Sequence, residues 1–109
     1  MVGKKLMARP YSNDFLQTLN ARDPERLGVQ MAKICVRANL PALYVAQAFG
    51  VSRMSIHSWF RGQYIRDKNC AKIKNFMSIV QAEIDKGILP VYTLKEAKYF
   101  IENMISNKI

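Results

Sequence analysis

Residues 40–62, LPALYVAQAFGVSRMSIHSWFRG, leave the backbone few options. They read as two short helices meeting at a tight corner, Phe49-Gly50-Val51-Ser52. Glycine at such a corner takes the left-handed conformation that a Cβ resists. Ser52 then serves as an N-cap, its hydroxyl accepting from an N–H in the first turn of the next helix. Ala46 lies one turn before Gly50, where a small side chain lets two helices approach closely. Val51, Ile56 and Trp59 supply the apolar face that holds the crossing against the rest of the chain.

Small residue, glycine, apolar residue, and further apolar residues six and nine positions past the glycine form the helix-turn-helix pattern. With Ala46, Gly50-Val51-Ser52, Ile56, Trp59 and the closing Arg61-Gly62, the chain resembles the lambdoid phage repressor and Cro family of helix-turn-helix proteins. The resemblance covers about residues 24–84, with the motif itself at 41–62. It implies an all-α, compact bundle of about five helices that binds double-stranded DNA through the second motif helix.

Charge points the same way. Of the net +9, residues 26–74 hold +8: nine cations against Asp67 alone. No acidic residue stands between Arg26 and Arg66. A carboxylate facing phosphate would repel it, so a polyanionic partner accounts for the gap. General solubility would not gather the charge around one motif. The last 35 residues carry four charges of each sign and sum to zero.

Helix signals flank the motif. Residues 1–12 read as a flexible basic arm, either a groove-binding arm or a disordered terminus. The remainder, 13–109, reads as a single helical domain. Ser12 or Asn13 caps a short helix through Phe15, Leu16 and Leu19. Asp23-Pro24-Glu25 predicts a helix start, and Leu27, Met31, Ile34, Cys35 and Ala38 carry that helix over about 24–38, stopped by Asn39. Pro41 opens the helix to Phe49, and the recognition-type helix spans about 53–60. Residues 62–69 predict a loop. A helix over 70–86 follows, with Ile73, Phe76, Met77, Val80 and Ile84 on one face and Gly87 and Pro90 as its stop. Thr93 and Glu96 form a capping box for a last helix over 93–107, lined by Leu94, Ala97, Ile101, Met104 and Ile105.

With Ile56 and Trp59 turned to the core, the outward positions of the second motif helix are Arg53, Met54, His57 and Ser58, with Ser52 and Ser55 beside them. The resemblance assigns base contact to Arg53, Met54 and Ser58. A guanidinium at Arg53 can pair both acceptors of a guanine, and Met54 can pack on a thymine methyl. The set departs from the family's frequent use of glutamine, which leaves the operator sequence open. His57 reads equally as a base or phosphate contact and as a solvent-exposed side chain. Trp59 reads as core; Phe60 either adds to the core or covers part of a partner surface. Backbone contacts are expected from the helix N-terminus at Ala42, from Ser52 and Ser55, from Arg61, and from Gln63, Tyr64, Arg66 and Lys68 in the loop. Lys72 and Lys74 read as remote steering charges.

Tyr92, Tyr99 and Phe100 give the last helix more aromatic surface than one face buries, which suggests a homodimer through it. Two cysteines, Cys35 and Cys70, build no disulfide scaffold or metal site, pointing to a reducing cytoplasm, nucleoid-associated in a bacterial or phage-infected cell. Apolar runs are too short for a membrane span, and the N-terminus lacks the apolar segment of a secretory signal. One histidine, no paired acids at useful spacing and no phosphate-binding glycine loop argue against an enzyme, and no cofactor or metal is expected. The leading expectation is therefore a small phage-type transcriptional repressor. Two other readings stand beside it: a DNA-packaging or recombination accessory protein, similar to small terminase subunits, and a helix-turn-helix module that contacts the transcription machinery.

Overall fold

A computed structural model describes residues 10–109. Its central post is α2 (Leu27–Ala38), whose Val29, Met31, Ala32, Ile34, Cys35 and Ala38 are all buried. Around it stand α1 (Asn13–Asn20), α4 (Arg53–Phe60) and α5 (Asp67–Asp85), while α3 (Ala42–Phe49) packs on α4. The chain ends in α6 (Leu94–Phe100), continued by a π-helical turn over Ile101–Ile105 that packs on α3 and α5. The protein is all-helical: the described residues form six helices and no strand. The Cα radius of gyration, 13.4 Å, is that of a compact chain of this size.

Local signals place most helix ends. The Ser12 hydroxyl accepts from the Phe15 N–H at 3.0 Å and opens α1. Asn39 closes α2 in the left-handed region (φ 60°), and its side-chain amide donates to the Val91 carbonyl at 3.0 Å. Gly50 closes α3 at φ 67°, which brings the Val51 N–H back to the Ala46 carbonyl at 3.1 Å. Ser52 caps α4, its Oγ accepting from the Ser55 N–H at 3.0 Å.

Elsewhere the backbone departs from expectation. The helix predicted from residue 24 begins at Leu27, because Asp23 caps a turn instead: its Oδ1 accepts from the Glu25 N–H at 2.9 Å, and the Arg26 N–H returns to the Asp23 carbonyl. The loop over 62–69 is shorter than predicted, since α5 starts at Asp67, with that carboxylate in the first turn where the helix dipole favours it. The predicted helix over 93–107 is not uniformly α. Beyond Phe100 the bonding widens, with the Ser106 N–H donating to the Ile101 carbonyl at 2.9 Å. Ile101 and Ile105 are both buried. Leu94, placed on the inward stripe by periodicity, is 54 % exposed, and Phe100, read as surplus surface, is buried in the core.

Residues 1–9 of the expected arm lie outside the described residues. Residues 11 and 12 belong to the fold. Tyr11 is buried, stacks on Phe15 with ring centroids 5.0 Å apart, and donates its hydroxyl to the Leu40 carbonyl at 2.6 Å. Burial pushes the ionisation of this phenol far above its ordinary range, and that of the Cys35 thiol likewise.

Candidate nucleic-acid interface

Three apolar anchors hold α4. Ile56, Trp59 and Phe60 are buried; Trp59 meets the ring of Phe49 edge-on at 5.7 Å, and Phe60 lies 6.1 Å from Phe15. Phe60 is thus core rather than partner surface. On the backbone side, Gly28 of α2 lies against the Trp59 carbonyl so closely that a Cβ there would overlap the oxygen. With one face held in this way, the opposite side of the first turn is presented to solvent. Ser52 and Arg53 are exposed, and Met54 is 77 % exposed, an apolar side chain with no neighbour to cover it.

The remaining predicted positions divide. Ser55 and Ser58 are half-buried, and the Ser52 hydroxyl donates to Ser55 Oγ at 3.1 Å. His57, one turn beyond Arg53, is less open than Arg53 and Met54. It sits half-buried at the seam between α1 and α4, its ring edge-on to Phe60 at 5.8 Å and to Phe15 at 6.2 Å. Partial burial, then the neighbouring Arg53 and Arg61 guanidinium groups, lower its pKa below the ordinary 6.5. Near neutral pH it is therefore an uncharged donor–acceptor and adds no cation.

Ala42 is buried as the first residue of α3, whose N-cap, Pro41, offers no side-chain bond to the helix end. The backbone rather than the side chain would meet an anion there. Arg61, Gln63, Tyr64, Arg66 and Lys68 are all exposed, Tyr64 at 81 %. The Arg61 carbonyl accepts from the Arg22 guanidinium at 3.2 Å, which ties the end of α4 to the segment after α1 and leaves the Arg61 side chain outside the contact.

Between the α3–α4 corner and the start of α5 opens a polar cleft of about 500 Å³. Phe49, Gly50, Val51, Ser55 and Trp59 form one wall; Tyr64, Arg66, Lys68, Asn69 and Lys72 form the other. Arg53, Arg61, Arg66, Lys68 and Lys72 take part in no ion pair with the described residues. Asp67, between Arg66 and Lys68, is the one acid in this segment. Lys72 is the residue that sequence reasoning misplaces: once α5 begins at Asp67, Lys72 stands one turn beyond Lys68 and turns into the cleft rather than away from it. Asn69, not singled out by sequence, lines the same wall.

The arrangement can neutralise phosphates along one edge and offer Arg53 and Met54 to whatever lies between them. No group of three or more His, Cys, Asp or Glu side chains among the described residues could hold a metal ion. No helix among the described residues is long and apolar enough to cross a membrane. No family model, curated protein or solved structure matches the chain.

Proposed function

We propose that the protein is a sequence-specific double-stranded DNA-binding protein of helix-turn-helix, repressor/Cro-like type, acting as a small transcriptional regulator without catalytic activity. In this reading α3 and α4 are the motif, and α4 enters the major groove with its N-terminal turn foremost. One observation carries it: unpaired cations surround the open end of a short helix whose other face is packed into the core, on a stretch of chain free of acids from residue 27 to 65. Arg53 and Met54 read base edges, with Ser58 at the margin and His57 limited to an uncharged contact beside them. Arg61, Arg66, Lys68 and Lys72 take phosphates on one side, helped by Gln63, Tyr64, Ser52 and Ser55. The backbone at Ala42 takes a phosphate on the other.

Selection from a randomised duplex pool at moderate salt, with sequencing of the bound fraction, tests the reading. A recovered motif supports it. A bound pool without a motif turns the assignment to an architectural or packaging protein, and no binding at all removes the nucleic acid from it.

A further inference from the structure

The cleft between the α3–α4 corner and the start of α5 is built for more than a phosphate. Its volume, about 500 Å³, lies in the range of sites that enclose a small ligand, about 300–1,000 Å³. Arg66, Lys68 and Lys72 line it with no acid among the described lining residues, and Asp67, their neighbour in sequence, is not part of the lining. An anion is therefore the favoured occupant. A phosphate alone leaves the opposite wall without a partner. There Phe49, Val51 and Trp59 present apolar surface, and Gly50 adds no side chain: a Cβ built on it would meet nothing within 4 Å. A paired duplex keeps its bases stacked inside the helix, so its backbone has nothing flat and apolar to set against such a wall.

Two uncommitted side chains complete the chemistry. Tyr64 lines the cleft yet is 81 % exposed, and its ring neither stacks on nor hydrogen-bonds to any described residue. An aromatic ring beside cations is a platform on which a base stacks while its phosphate is neutralised. Asn69 is half-buried on the same wall, and its side-chain amide makes no hydrogen bond with the described residues. That leaves both a donor and an acceptor for the edge of a base.

We infer that this cleft is a nucleotide site, the phosphate held by Arg66, Lys68 and Lys72, the base laid against Tyr64 and its edge read by Asn69. Two sources share that chemistry: a free nucleotide, and an unpaired nucleotide of a DNA strand bound at the motif. The second rests on the DNA-binding reading; the first does not.

Titration calorimetry on the full chain tests it with two comparisons: deoxyadenosine triphosphate against inorganic tripolyphosphate, and a duplex with a short single-stranded adenine extension against its blunt counterpart. Stacking on Tyr64 gives the nucleotide, or the extended duplex, an advantage of at least about fivefold that Tyr64→Ala abolishes and Tyr64→Phe keeps, with helical content unchanged. Lys72→Ala weakens the nucleotide and tripolyphosphate alike. An advantage in the first comparison identifies a free nucleotide as ligand; an advantage in the second alone identifies an unpaired nucleotide of the strand. No advantage in either, or one that survives Tyr64→Ala, overturns the proposal. Binding of the blunt duplex with no advantage in either comparison would remove this inference and leave the DNA reading standing. Nucleotide binding by a chain that binds no duplex would do the opposite.

Discussion

Gly28 and Trp59 set the separation of α2 and α4: the space where a side chain would begin on one helix is occupied by the backbone carbonyl of the other. That carbonyl cannot easily tilt away, because it also accepts the Gly62 N–H at 2.8 Å. Gly28→Ala therefore has to push the helices apart, and overpacking of this kind costs about 1–3 kcal/mol. Chemical denaturation reads the loss directly. Wild-type stability in this variant would mean that another contact sets the spacing.

Gly50 makes a different demand. Its φ of 67° suits glycine, yet an added Cβ would meet no atom within 4 Å. Gly50→Ala should cost only the left-handed strain, about 1–2 kcal/mol, and Gly50→Asn less, since asparagine tolerates that region. Equal losses for Ala and Asn would place the cost in packing instead.

Tyr11→Phe removes the hydroxyl that donates to the Leu40 carbonyl inside the core, leaving a buried acceptor without its donor. A loss of about 1–3 kcal/mol is expected, with the fold retained. A neutral result would show that the carbonyl finds water or another donor when the hydroxyl is gone.

If the proposed DNA-binding reading holds, the two arginines at the ends of α4 should separate base readout from phosphate binding. Arg53→Ala should lower affinity for the selected site and flatten preference at one base pair, a discrimination of about 1–3 kcal/mol. Arg61→Ala should weaken all duplexes by similar factors and reduce the log–log salt slope by about 0.9 for each phosphate that the side chain no longer neutralises. Identical losses on every sequence for both variants would contradict the assigned orientation of α4.

His57 links stability to pH. Its folded-state pKa is lowered, so as pH falls the unfolded chain takes up a proton before the folded one does. Stability therefore declines as pH drops below about 6.5 and levels off once the folded-state histidine is also charged. Denaturation between about pH 7 and 5.5 should show this slope in the wild type and lose it in His57→Gln. A slope unchanged in the variant would assign the proton to another group.

What the sequence makes legible is local chemistry. The α3–α4 corner follows from Gly50 and Ser52, each of which acts within a few residues, and Asn39 ends α2 for the same reason. Periodicity likewise finds the buried faces of α2 and α4, including Trp59. Gly28 escapes such a reading because its reason lies 31 positions away, in a carbonyl no pattern announces. Tyr11 falls to the arm because a lone aromatic beside a proline carries no period, though its hydroxyl and ring are both used by the core. The start of α5 is misplaced because Arg66, its N-cap, makes no side-chain cap bond. That shift of the helix start is what hides Lys72 from the cleft. A 3.6-residue template does not announce the π-helical turn, although it still places Ile101 and Ile105 on the buried side.

At eight residues, α4 is too short to hold its shape alone, since isolated helices shorter than about 12–15 residues are marginal in water. Its order comes from Phe15, Gly28 and Phe49, on three different neighbours. On the proposed DNA-binding reading, damage to any of these interior supports would surface as a blurred or weakened grip at the exposed face. Screening the chain for binding defects will therefore recover residues of its interior alongside those of its exposed helix face, and only a stability measurement will tell the two apart.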